Sequence, residues 1–303
     1  MHSDRRLAGC KPLLLSALLL TFAGAAQATL FASSAAGYAE PHTASLTFFN
    51  GATGTLSAIS TTSPGGLAAA GGYGEAAYGA LHSSADAVIA TDAHARGQGS
   101  SLWIDNVTLW SSFTGPATAR ASFSLSGGLS SRVGPSSTGS LANSTIASRV
   151  TVNGTDVLSV SGQLVSRNGV IETDEVRVNG ANVSFTRGSL AGTYFFDMPV
   201  TLGTPFTMVA DLTAFVQAMG SSGLDDAAAH SSFGSTGRWG GISSLVLADG
   251  TTVSDFSVTS ASGFDWSRAY GADVKAPVPE PETYALMLAG LALLGSIARR
   301  RRT

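Results

Sequence analysis

Residues 146–160 read "IASRVTVNGTDVLSV": two runs of alternating apolar and polar side chains, rich in β-branched residues, joined by Asn153-Gly154. Asn-Gly favours a two-residue hairpin turn, because both central positions need positive φ and these residues tolerate it best. The stretch therefore predicts two antiparallel strands. The same pattern recurs in "EVRVNGANVSF" (175–185) and, with Asp-Gly, in "SSLVLADGTTVSDFSV" (243–258). Two further Asn-Gly pairs stand at Asn50-Gly51 and Asn168-Gly169. Residues 208–218 alternate as a strand face, although Leu212, Phe215, Val216 and Met219 would also line a helix. The β-rich neighbours decide for a strand. Strands at this spacing predict an all-β body, an antiparallel β-sandwich or jelly roll.

Residues 33–99 differ. Ala, Gly and Ser dominate, and "TTSPGGLAAAGGYGEAAYGAL" (61–81) holds almost no large apolar side chain. Such a composition buries little surface, and taken alone it points to loop or disorder.

The ends of the chain carry the clearest signals. Arg5, Arg6 and Lys11 precede a mainly apolar run over residues 13–22, and Ala26-Gln27-Ala28 closes it with small residues at alternate positions. This is the pattern of a secretory signal peptide cleaved after Ala28. Cys10 sits in a lipoprotein-like "LAGC", but ahead of the greasy run instead of behind it, so the match is coincidental. At the other end, Pro277, Pro279 and Pro281 forbid helix, and Glu280 and Glu282 stand between and beside them. An uncharged run of 14 residues (285–298) follows, then Arg299, Arg300, Arg301 and Arg302. Spanning a bilayer takes ~20 apolar residues, so this run needs Tyr284 at one interface and snorkelling arginines at the other. The arginines would stay cytoplasmic, placing the body on the far side.

A secretory signal, a Val278-Pro279-Glu280-Pro281 box, a short apolar helix and an arginine cluster, in that order, resemble the PEP-CTERM sorting-domain proteins of Gram-negative bacteria. The resemblance implies that Pro279, Glu280 and Pro281 form the recognition box for an exosortase, a membrane-embedded cysteine transpeptidase-like enzyme. It also implies export, transient anchoring in the inner membrane, tail processing, and deposition at the cell surface or in an exopolysaccharide matrix. It implies no single activity for the body. Within the body, "AAYGALHSSADA" (76–87) and "SLWIDNVTL" (101–109) resemble a recurrent pattern of these proteins, a small-residue edge strand ahead of a Ser-aromatic-x-Asp strand. Residues 234–267 resemble their shared C-terminal strand pair. The expected organisation is a signal peptide (1–28), an exported body (29–269), a linker (270–277) and a sorting signal (278–303).

Between Thr29 and Lys275, ten basic side chains face 17 acidic ones, about −7 by count, with no basic cluster; nucleic acid is an unexpected partner. Cys10 is the single cysteine, so the exported body forms no disulfide and offers no thiol nucleophile. No Gly-x-Ser-x-Gly, phosphate loop, dinucleotide fingerprint or His-Glu-x-x-His occurs. Asp92 and His94 could offer two metal ligands but lack a third nearby, and Glu172, Asp174 and Glu175 lack the spacing of a calcium loop. No cofactor or metal is expected. Of Trp103, Trp110, Trp239 and Trp266, strand-like alternation places Trp103 and Trp266 in the core, while the glycine-flanked Trp239 is the best candidate for an exposed sugar platform. The expected function is a non-enzymatic surface or matrix protein. A carbohydrate-binding module is the alternative, and a secreted hydrolase or lyase the third reading.

Overall fold

A computed structural model describes residues 28–38, 44–51, 56–62, 68–90, 93–134, 139–183, 188–220 and 226–271. The expected signal peptide, apart from Ala28, and the whole of the expected sorting signal lie outside these residues. In chain order the strands are β1 (Thr29–Tyr38), β2 (Ala44–Gly51), β3 (Leu56–Thr62), β4 (Ala68–Ala77), β5 (Ala80–Ile89) and β6 (His94–Trp110). Then come β7 (Gly115–Leu125), β8 (Gly128–Val133), β9 (Leu141–Val152), β10 (Thr155–Arg167), β11 (Val170–Val178) and β12 (Ala181–Asn182). The last are β13 (Gly192–Leu202), β14 (Phe206–Met219), β15 (Ala227–Leu247), β16 (Thr252–Val253) and β17 (Ser257–Ser260).

All pairings are antiparallel and fall into two sheets. One runs β12-β11-β10-β9-β14-β6-β1-β2, with β17 also on β6; the other runs β13-β7-β15-β5-β4-β3, with β8 and β16 also on β15. The sheets pack face to face. The ambiguous residues 208–218 are strand: β14 alternates buried and half-buried throughout, pairing with β6 on one side and β9 on the other.

Three Asn-Gly pairs close two-residue hairpins, and Asn153, Asn168 and Asn179 all sit at φ 49°. Each asparagine also pairs with the strand or strand entry beyond its own hairpin. Asn153 donates its N–H to Thr207 O (2.9 Å), and its Oδ1 accepts the Thr207 N–H (3.0 Å). Asn179 does the same with Ser159 (2.7 and 2.8 Å). Asn168 donates to Ser140 O (3.2 Å) and accepts from Gly139 N (2.6 Å). The turn side chain thus extends the ladder by one rung. Asn50-Gly51 instead lies within β2, and Asp249-Gly250 closes a longer loop in which Leu247 N donates to Thr251 O (2.8 Å).

The described part of residues 33–99 is almost entirely strand, as the one continuous body expected over 29–269 requires and against what its composition taken alone suggests, and β5 is internal, paired with both β4 and β15, instead of an edge. The physical reason is sheet spacing. A Cβ added to Gly97 would meet Asp86 O at 2.6 Å, and one on Gly99 would meet Ser84 O at 2.5 Å, so backbone faces backbone. Serines reach across as well: Ser83 Oγ donates to Leu212 O (2.9 Å), Ser131 Oγ to Leu164 O (2.8 Å), Ser144 Oγ to Ser130 O (2.6 Å) and Ser231 Oγ to Thr145 O (3.1 Å). A hydroxyl that touches the facing carbonyl sets the sheets roughly 5–6 Å apart there, against the usual ~10 Å. Small side chains bury little area each, but they permit this close contact and leave the hydroxyls bonded. The core thickens toward Phe123, Met198, Leu158, Trp103, Trp239 and Trp266, all essentially inaccessible, whereas Trp110 is exposed.

Candidate functional site

The thick part of the core contains an aromatic cluster built around a buried carboxylate. Trp103, on β6, packs against Trp266 with ring centroids 4.4 Å apart, and Trp239, on β15, meets both edge-on at 6.3 and 5.5 Å. Phe264 closes on Trp266 at 4.5 Å. Such edge and offset geometries suit the quadrupoles of aromatic rings. Asp105, two residues from Trp103 on the same face of β6, has no exposed surface. Its Oδ1 accepts N–H from Asn106 (2.9 Å) and Ser262 (3.1 Å); its Oδ2 accepts Trp266 Nε1–H (2.7 Å) and the Ser262 hydroxyl. Four neutral donors converge on one acid, the arrangement an ionised carboxylate accepts.

Three of these four donors, two from Ser262 and one from Trp266, lie in the segment after β17. Ile242 N (3.2 Å) and Trp239 Nε1 (2.8 Å) donate to Trp266 O, and Tyr270 N donates to Trp239 O (2.8 Å). Residues 260–270 therefore form a clasp that fastens the end of the body to both sheets. Gly79, at φ 80°, lets the β4–β5 turn approach: a Cβ there would lie 2.6 Å from the Phe264 ring. The phenol of Tyr78 is pushed up to about 12 by burial and by the Asp105 charge.

Trp103 and Trp266 are core as expected, Trp103 by its place in β6, but Trp266 lies in a turn beyond β17 and not in a strand. Trp239 is not exposed; it is 1 % accessible, and its indole N–H is spent on Trp266 O. The glycines beside it serve close packing instead, since a Cβ on Gly237 would strike the Phe123 ring and one on Gly241 the backbone of Ser267 and Arg268. Sequence reasoning separated "SLWID" from "GFDWS"; the pairing of a lone inward Asp with a late Trp was the signal that could have joined them.

The other candidates are scattered. Glu172 pairs with Arg167 (3.0 Å) and Glu175 with Arg177 (2.9 Å) along β10 and β11, so these exposed carboxylates sit on paired strands. Asp92 lies outside the described residues, and no cluster able to hold a metal occurs among the described ones. On the open face of the second sheet His230 Nδ1 meets Asp86 Oδ1 (2.6 Å), both side chains about half exposed, so water competes with the pair. A shallow depression is lined by Arg120, Phe195, Asp197 and Ser243, where Phe195 is 80 % exposed and Arg120 stands 3.5 Å from Asp197.

Comparison with known families places the decisive feature in the tail. A model of the PEP-CTERM protein-sorting motif matches residues 277–302. The chain carries a PEP-CTERM sorting motif. The match includes Pro279, Glu280, Pro281 and Arg299, Arg300, Arg301 and Arg302, and it begins six residues after Gly271, where the described body ends. No match was found among curated proteins or solved structures. The PEP-CTERM motif implies a protein exported through the membrane, with an exosortase as its processing partner.

Proposed function

We propose that this PEP-CTERM chain is a structural, non-enzymatic protein of the cell surface or exopolysaccharide matrix. The observation that carries the reading is the sorting match over residues 277–302. In this account residues 1–28 are a signal peptide, with Ala26 and Ala28 at the peptidase site. Residues 285–298 hold the inner membrane as a short helix, Arg299, Arg300, Arg301 and Arg302 stay cytoplasmic, and Pro279, Glu280 and Pro281 are read by the exosortase. The body supports a structural role, because its chemistry-bearing groups are engaged by neighbours: Asp105 by four donors, Glu172 and Glu175 by arginines.

Replacing Pro279, Glu280 and Pro281 with alanine tests the reading. The box lies outside the apolar run, so export should persist while uncut protein collects in the inner membrane. Normal tail processing of that variant, read by mass, contradicts the proposal. A sugar-binding role is the second reading, and it now rests on the exposed aromatic side chains Phe195, beside Arg120 and Asp197, and Trp110, not on the buried Trp239. Loss of glycan-array binding on Phe195→Ala would favour it.

A further inference from the structure

Beyond Ala28 the sequence holds three glutamines, Gln98, Gln163 and Gln217, and the fold gathers all three on one patch of the first sheet's open face. Phe215, on β14, sits at its centre. Gln98 of β6 stands directly opposite on one side and Thr145 of β9 on the other, with Gln163 of β10 next in the same row. The adjoining row aligns Asn143, Gln217 and Arg96. Buried Ala142, Ser144, Leu164, Ala214 and Val216 alternate with these positions, so the patch faces away from the core. At ~4.8 Å between neighbours, its four strands span roughly 14 Å. Ion pairs stand at its borders, Arg149 with Asp211 (3.0 Å) and Arg177 with Glu175 (2.9 Å), and Arg96 takes one corner.

We propose that this patch binds an uncharged polysaccharide: Phe215 stacks on the C–H face of a sugar ring, while Gln98, Asn143, Gln163 and Gln217 pair with the hydroxyls around it. The proposal deepens the structural reading above and rests on it, since the patch is then the means by which the body holds the matrix. The amides have capacity to spare. Gln163 Nε2 donates to Asn143 Oδ1 (3.3 Å), Gln98 Nε2 to Ser100 Oγ (3.4 Å) and Gln217 Nε2 to Met219 Sδ (2.8 Å). Each amide has two N–H donors and an oxygen with two lone pairs, so most of the set is unspent among the described residues. Sugar hydroxyls both donate and accept, as amides do, whereas a carboxylate only accepts and an ammonium only donates. The charge of about −7 between Thr29 and Lys275 repels a polyanion, and the patch holds no cationic cluster to offset it. One ring among four amides is too polar for the centre of a protein–protein contact, where aromatic and Met side chains are enriched.

The test compares wild type with Gln98→Ala, Gln163→Ala, Phe215→Ala, Phe195→Ala and Trp110→Ala, each recovered from the exporting host. The probes are soluble β-glucan, mannan and galactan, with the host's own surface polysaccharide split by charge into neutral and acidic fractions. Affinity electrophoresis reads Kd, melting reads folding, and sedimentation reads the oligomeric state. Wild type should bind a neutral probe with little dependence on salt. Each glutamine variant should bind it about fivefold more weakly with little change in melting temperature. Phe215→Ala should bind it about tenfold more weakly, or worse. Three results overturn the proposal: binding to no neutral probe, binding only to the acidic fraction, or affinity kept by Phe215→Ala and both glutamine variants while Phe195→Ala or Trp110→Ala loses it. A dimer that Phe215→Ala or Gln98→Ala splits, with no polysaccharide bound, overturns it as well and makes the patch a contact between copies. Absence of wild-type protein from the cell surface and medium would instead contradict the structural reading, so the two failures are separable.

Discussion

Gly99→Ala is a sharp test of the thin sandwich. Gly99 lies on β6 facing the second sheet, and an added Cβ would fall on the carbonyl oxygens of Tyr73 and Ser84, the latter 2.5 Å away. These two residues pair directly across β4 and β5, so neither oxygen can swing aside alone. The sheets would have to part by roughly 1 Å to restore ordinary contact. Overpacking of this kind costs about 1–3 kcal/mol. Parting also stretches the nearby Ser83–Leu212 hydrogen bond beyond its 2.9 Å, which adds about 1 kcal/mol. A total near 3 kcal/mol corresponds to a melting temperature lower by roughly 6–12 °C for a domain of this size. Gly192→Ala is the control, since its Cβ would meet only the Tyr194 ring at 3.8–3.9 Å. Thermal melts of the purified body decide. A Gly99→Ala variant melting within about 2 °C of wild type, with two-state behaviour kept, would refute backbone contact between the sheets.

Alkaline pH gives a second test. Tyr73 is pushed up to about 12 by burial and then by Glu75, and Tyr78 to about 12 by burial and then by Asp105. Both ionise more readily unfolded, so their contribution is whole below the ordinary value of 10 and is lost as pH climbs from 10 toward 12. Urea midpoints should fall across that window, less so in Tyr73→Phe; a flat profile contradicts the burial. Asn153→Ala should cost about 1–2 kcal/mol, through the Thr207 bond and a strained φ of 49°, whereas Asn153→Gly should cost only the bond, which equal midpoints would deny. Asp211 is raised chiefly by burial despite Arg149 at 3.0 Å, while Arg149 is raised chiefly by the Asp211 charge. The carboxylate is the more enclosed partner, so its desolvation governs. Arg149→Met should therefore cost about 1–3 kcal/mol at pH 7 and recover as pH falls, because a raised carboxyl takes up its proton first in the folded state; a loss that does not shrink by pH 5 argues against this.

Hairpin chemistry was the most legible part of the fold. Asn153-Gly154 and Asn179-Gly180 announce their turns because the two residues themselves favour the turn conformation, although Asn50-Gly51, paired within β2, shows that the preference can be overridden. What asparagine does next is not legible: the Oδ1 partner of Asn153 is Thr207, on an element 54 residues away. The small-residue region could not be decided from its composition for a related reason. Composition counts the area that Ala70, Ala85 or Gly99 can bury, but close approach depends on two small faces meeting in register, and that register is a tertiary fact. Trp239 shows the same limit. Flanking glycines look like a surface loop when read along the chain, yet here they make room for Phe123 and for the backbone of the clasp. The sorting motif at 277–302 was legible because its order, spacing and composition define it without reference to the rest of the fold.

The central claim is that the body is exported and cut free of a sorting tail. Intact-mass analysis of the protein recovered from the surface and medium of its own host tests it most directly. The account predicts a chain that begins at Thr29 and lacks both the apolar run 285–298 and the four arginines after it. A mature protein that still carries residues 1–28, or one that runs intact to Thr303, would contradict it.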